Sequence, residues 1–160
     1  MSTDRLLVAV FASPVSEVLV RWGMELGFRT LLVDPELQPG AAVQADRVAR
    51  SFDELDDELA GGTADVVVTD HHRDELGDVL RDALAAPTRW VGVMGNPRQE
   101  GPHVAALTAL GVPAEEIARV HRPIGLDIGS RAPAEIAVST LAGLLADRNG
   151  RSGGFAHGGG

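Results

Sequence analysis

Four short apolar runs leave this chain little choice of architecture. Leu6–Phe11, Thr30–Val33, Asp65–Thr69 and Trp90–Met94 are unbroken rather than alternating, as strands buried on both faces of a parallel sheet must be. Helical spacing fills the gaps between them. Ser13-Pro14 reads as N-cap and first helical residue, followed by Val15, Val18, Leu19, Trp22 and Leu26, with Gly27 as the stop. Leu76, Val79, Leu80, Ala83 and Leu84 mark a second helix. Gly95-Asn96-Pro97 repeats the strand exit, cap and proline start, and predicts a third helix carrying Val104, Leu107, Thr108 and Leu110 up to Gly111. Pro133 opens a last helix with Ile136, Ala137, Thr140, Leu141, Leu144 and Leu145 on one face. Weaker patterns predict short strands at Arg47–Arg50 and Arg119-Val120, an acidic helix over Phe52–Leu59, and one turn at Pro113–Ile117. Strands alternating with amphipathic helices define an α/β fold, a Rossmann-like three-layer domain with a mostly parallel sheet.

Composition narrows the class of function. The 160 residues fit one domain over 1–150, with a Gly-rich tail at 151–160 that has almost nothing to bury and is expected to be disordered. The formal charge is −9, and all 14 basic residues are arginines scattered along the chain. Neither nucleic acid nor an anionic membrane surface is an expected partner. Cysteine is absent, which removes disulfides, thiolate metal sites and a cysteine nucleophile. The first residues lack the basic start and apolar core of a secretory signal, and no apolar run is long enough to span a bilayer, so a cytoplasmic location is expected.

Parallel sheets take ligands beyond the C-terminal ends of their strands, which directs attention to 12–16, 34–39, 69–73 and 95–100. The first strand-to-helix turn is where a dinucleotide fold places G-x-G-x-x-G. Here it reads Phe11-Ala-Ser-Pro-Val-Ser-Glu17, without glycine, with Pro14 lacking an N–H and with Glu17 opposing an anion. NAD(P) or FAD in the usual mode is therefore not expected, although Ser13 stands at a helix N-terminus that favours negative charge. Asp34 matches the acid that takes ribose hydroxyls, or else caps the turn before Pro35. Thr69 leads into Asp70-His71-His72. Adjacent side chains on an extended segment face opposite ways, so the two histidines are not expected to share a metal, and no metal site is predicted. His71 is a candidate pocket residue that titrates near neutrality. Gly95, Asn96 and Arg98 form a candidate anion site, with Arg98 expected in the first helical turn, where a cation opposes the dipole; the alternative is a solvated arginine. No nucleophile elbow, H-E-x-x-H or Walker pattern occurs.

The segment from His121 to Pro133 is too rich in chemistry for a plain connector. Gly125 and Gly129 permit positive φ or close backbone approach, and Asp127, between Leu126 and Ile128, is expected to be partly enclosed. Either these residues meet a ligand or the segment is a tight turn that returns the last helix to the sheet.

The stretch from Trp90 to Arg148 resembles the C-terminal Rossmann domain of the XdhC/CoxI family of maturation factors for molybdenum-containing xanthine and carbon monoxide dehydrogenases. The resemblance rests on Gly92, Gly95, Arg98, Gly111, Glu116, Val120-His121, Pro123–Gly129, Pro133, Glu135–Ala137 and Ser139. It implies an accessory protein rather than an enzyme, one that binds the molybdenum cofactor (molybdopterin) and hands it to a molybdenum hydroxylase. On that reading the cofactor-binding residues are drawn from Ser13, Asp34, Thr69, His71, Gly95, Asn96, Arg98, Gly125, Asp127 and Gly129. Three departures stand out. The family's first-turn glycines appear as Ala12, Pro14 and Glu17, and its S-R-R-K segment appears as Asn96–Gln99. The family's usual N-terminal domain, which commonly carries cysteine, is missing, so a separate cysteine-containing XdhC/CoxI partner is a candidate, as is a homodimer. The alternatives are an NAD(P)- or FAD-dependent oxidoreductase with a degenerate glycine loop, and an interaction module that binds no cofactor.

Overall fold

The computed structural model describes residues 5–38, 44–95, 101–129 and 131–155. Its strands are β1 (Arg5–Val10), β2 (Phe28–Val33), β3 (Arg47–Ala49), β4 (Ala64–Val68), β5 (Thr88–Val93) and β6 (Val120–His121). They form one parallel sheet in the order β3-β2-β1-β4-β5-β6. The helices are α1 (Pro14–Glu25), α2 (Asp56–Leu59, entered through a 3-10 turn at Phe52–Leu55), α3 (Leu76–Ala85), α4 (Pro102–Ala109), α5 (Ala114–Ile117) and α6 (Pro133–Arg148). This is the Rossmann-like α/β fold, with its topological switch between β1 and β4. Among the described residues, no helix is long and apolar enough to cross a membrane.

Alternation along each strand feeds two cores. Val8, Val10, Leu31, Val33, Val66, Val68, Val91 and Val93 pack against Phe52, Leu55, Leu59, Leu80 and Leu107 on one face. Leu7, Phe28 and Val67 meet Leu19 of α1 and Ala137, Leu141 and Leu144 of α6 on the other. The short helices α2 to α5 thus cover one side and the two long helices the other.

The predicted caps hold at α1. Ser13 accepts the Ser16 N–H at 3.1 Å, and the Ser13 N–H donates to Ser16 Oγ at 2.7 Å, a reciprocal capping box. The third helix departs from expectation. The described helix begins at Pro102 with Gly101 as N-cap (φ −71°, ψ 120°), while the expected start at Pro97 lies outside the described residues. A residue before proline is pushed out of the α region, so Gly101-Pro102 interrupts any helix started earlier. Its buried face differs too. His103 and Leu107 point inward, while Val104 and Leu110 stay 42% and 39% exposed. With no charged residue in its eight positions, α4 offers no polar face to set its rotation. After α6, the Arg151 N–H donates to Ala146 O at 2.8 Å; residues 156–160 of the tail lie outside the described residues.

A buried carboxylate fastens the far edge of the sheet. Asp65, 0% exposed in β4, accepts from Arg89 Nε at 2.6 Å and Arg148 Nε at 2.8 Å. Arg148 also donates to Thr63 O at 2.7 Å and lies over the Phe28 ring, and Arg89 reaches Asp147 at 2.6 Å. The last turn of α6 is thereby fixed to β4 and β5. Removing one member of such a network leaves buried charge uncompensated. Asp65→Ala is expected to lower unfolding free energy by about 3–5 kcal/mol in urea denaturation; an unchanged midpoint would deny the network this role.

Candidate functional site

The C-terminal ends of β1, β2, β4 and β5 converge as the topology requires, and the structure brings Ser13, Asp34, Thr69, His71 and Gly95 to this edge. At the first turn Phe11 adopts φ +73°, a conformation that glycine would adopt without strain. Its ring is fully buried, and the Arg73 guanidinium lies 4.4 Å from the ring centroid. Asp34, 4% exposed, completes the turn. It accepts the Ala12 N–H at 2.9 Å, the Glu36 N–H at 2.9 Å and Arg73 Nη2 at 2.9 Å. Burial pushes this carboxyl's pKa up, but the Arg73 hydrogen bond, the two backbone donors and the Arg73 charge together hold it below the ordinary carboxylate range.

Most of the turn's donors are therefore used from within. Ala12 donates to Asp34, Ser13 to Ser16 Oγ, Ser16 to Ser13 Oγ, and Glu17 to Ser13 O. The Thr69 hydroxyl sits 2.8 Å from Val10 O and 3.1 Å from Phe11 O, and accepts from Ser13 Oγ at 3.1 Å. Of the two roles weighed for Asp34, turn former and ribose acceptor, its contacts are those of the turn former, with Arg73 as a partner that sequence reasoning missed.

His71 Nδ1 lies 3.0 Å from Met94 O. A carbonyl only accepts, so Nδ1 carries the proton and Nε2 is left for another partner. The expectation that His71 and His72 face opposite ways fails. The chain bends there instead of extending, and the rings lie 4.0 Å apart at 47°. Among the described residues no three His, Cys, Asp or Glu side chains converge as a metal site.

The C-terminal loop divides into two parts. Gly125 (φ +89°) presses on α6, where a Cβ would lie 2.4 Å from Ser139 Oγ. Ser139 Oγ donates to Leu126 O at 2.8 Å, and the Leu126 N–H donates to Ser139 O at 3.2 Å. This half is a packing device that returns α6 to the sheet. Asp127, Ile128 and Gly129 are exposed, so the expected partial enclosure of Asp127 is not found. Leu126 turns inward against Gly153, and the chain after it runs over solvent.

What joins the loop to the sheet edge is Arg122. A Cβ on Gly95 would lie 2.4 Å from Arg122 Nε, and one on Gly101 would lie 3.0 Å from Arg122 Cδ. The space kept open by two glycines is thus filled by an arginine that sequence reasoning left out. Asn96 and Arg98 lie outside the described residues. Beside Arg122, His103 is 8% exposed, and its Nδ1 has no hydrogen-bond partner among the described residues. Burial first, and then the Arg122 charge, hold its pKa below the usual histidine value. On the α6 side, Trp90 folds over Gly92 and stacks on His121 at 5.0 Å and 10°. That pair borders a cavity of about 240 Å³ shared with Ile124, Gly125, Thr140 and Gly143. Glycines at 92, 95 and 101 around a strand exit were the available signal, because each marks a close approach whose partner lies elsewhere in the chain.

Residues 7–144 match the family model described as the XdhC Rossmann domain. The chain is 29% identical over 158 residues to the uncharacterized protein YqeB of Escherichia coli (strain K12), covering 93% of this chain and 28% of YqeB. It superposes with a TM-score of 0.69 and 23% identity on a crystal structure described as a xanthine dehydrogenase from Bacillus halodurans, covering 94% of this chain and 44% of that one. The chain therefore spans less than half the length of either relative.

The Asp34 clamp makes a pH-dependent prediction. A carboxyl whose folded pKa is lowered stabilises fully above its unfolded value of about 3.9, and loses that contribution as pH falls through the folded value. Asp34→Asn is expected to cost about 2–3 kcal/mol at pH 7, with the gap to wild type closing below about pH 4. Urea titrations across pH 3–7 read both; a gap independent of pH would assign the effect to packing.

Proposed function

We propose that this chain, which belongs to the XdhC Rossmann domain family, is an accessory factor in the maturation of molybdenum-containing dehydrogenases and acts by binding and handing over the molybdenum cofactor. The observation that carries the reading is the family match across the whole sheet, from β1 to the middle of α6. When bound, the cofactor carries the redox-active metal that the target dehydrogenase requires.

The residues present fit such a group at one part of the edge and not at another. The β1–α1 turn offers little to a phosphate, since the Ala12, Ser13, Ser16 and Glu17 amides are bonded internally, Pro14 has none to give, and Asp34 places negative charge beside them. The β5–β6 end offers donors instead. Arg122 lies against Gly95 and Gly101, and His103 holds a ring nitrogen with no hydrogen-bond partner among the described residues. These groups bind and orient; Asp127, exposed on the adjoining loop, is placed to meet either the cofactor's polar edge or a docking partner. The target is a molybdenum hydroxylase of the xanthine or carbon monoxide dehydrogenase type. A cysteine-containing XdhC/CoxI protein is proposed as a further partner.

Two measurements test this. Purified protein mixed with molybdopterin is expected to retain it through gel filtration, read as pterin fluorescence after oxidation, with Asp127→Asn and Arg98→Ala each weakening retention. No retention by wild type, alone or mixed with a molybdenum hydroxylase, sinks the proposal. NAD(P) and FAD are expected to leave the melting temperature unchanged, because the usual pyrophosphate cradle is internally bonded. A shift that saturates with either would favour the oxidoreductase alternative.

A further inference from the structure

At the β5–β6 end a polar group is left over in a place that folding alone does not explain. His103 is more than nine-tenths buried, occupies the second position of α4, and turns Nδ1 toward Gly101, where a Cβ would be 2.5 Å away. That nitrogen has no partner among the described residues. Leaving a buried polar atom unsatisfied is costly. An aliphatic residue would fill the same space without the penalty.

The charges around it point one way. α4 has no side-chain cap, proline at its first position and no acid in its first turn, whereas α1 and α6 carry Glu17 and Glu135 there. Arg122 adds a full positive charge beside this helix N-terminus, close enough for its field to disfavour a second charge on His103. An anion placed between them would accept from the guanidinium, the α4 amides and the imidazole together. Arg122 already has a contact within the protein, and its five donors allow it to serve both.

We propose that Arg122, His103 and the N-terminus of α4 form a subsite for a phosphoryl oxyanion, beside Gly95 at the end of β5. The subsite rests on the reading of this edge as a ligand edge, and supplies the anchor that the β1–α1 turn lacks. A terminal phosphate on a pterin or a nucleotide carries the same chemistry. Sequence reasoning had looked to Arg98 for this role.

The test is a titration of the isotope-labelled full chain with inorganic phosphate at constant ionic strength, followed by NMR. The His103 ring and the Gly101 and His103 amides are expected to shift saturably, and Arg122→Gln is expected to weaken the affinity about tenfold or more. Arg122→Lys, which keeps the charge but loses the fork, should fall between the two. No saturable shift at His103 in folded wild type overturns the proposal, whatever the variants do. Equal affinity in a folded Arg122→Gln variant overturns it as well. Adding ADP or molybdopterin to the phosphate-saturated protein then shows which carrier displaces phosphate from His103. Absent phosphate binding with pterin retention intact removes the subsite alone. Phosphate binding without pterin retention removes the maturation role and keeps the subsite.

Discussion

Burial on both faces of a parallel sheet is the constraint from which the rest of this molecule follows. Each central strand must be largely apolar, with any buried polar group paired, crossovers are made by helices, and backbone groups at the strand ends are left to loops. Chemistry is then confined to the two edges. In this chain both edges are held by carboxylate–arginine contacts, Asp34 with Arg73 at one and Asp65 with Arg89 and Arg148 at the other. The pairs differ in consequence. The Asp65 network lies beneath α6 and fastens packed layers, while the Asp34 pair occupies the position where a related fold would admit a ligand.

Occupation of that position moves the ligand question along the sheet. In a dinucleotide fold the first turn presents free amides and the acid after β2 awaits a ribose. Here the acid bonds the turn itself. The His103 ring nitrogen, with no hydrogen-bond partner among the described residues, lies beside Gly101 on the side of the sheet where the His121–Gly129 loop passes. Part of that loop is packing against α6, and part stands in solvent beside the same edge.

Local signals were readable and distant pairings were not. The strong strands, the α1 cap and the start of α6 depend on neighbours within a few residues, so pattern alone located them. Asp34 was visible as a special acid, yet its partner lies 39 residues away. Asp65 looked like the polar start of a strand because Arg148, its ligand, is 83 residues on. The same holds for Gly95, whose neighbour Arg122 belongs to another loop. For α4 the described start is set locally as well, because Pro102 keeps Gly101 out of the helical region.

The conformation of Phe11 carries an evolutionary consequence. Its positive φ, the Arg73 guanidinium over its ring, and the Asp34 carboxylate on the next amide form one interdependent set. Replacing Phe11 with glycine would relieve the backbone but open a void beneath Arg73. Replacing Asp34 would take the buried partner from that arginine and leave it only Glu75 and Glu36, and replacing Arg73 would leave the acid with backbone donors alone. Each single step away from this arrangement is downhill in stability, so descent toward a nucleotide-binding turn would need several changes at once. The turn acts as a ratchet, and a ligand that needed free amides there would have to displace contacts the protein already makes with itself.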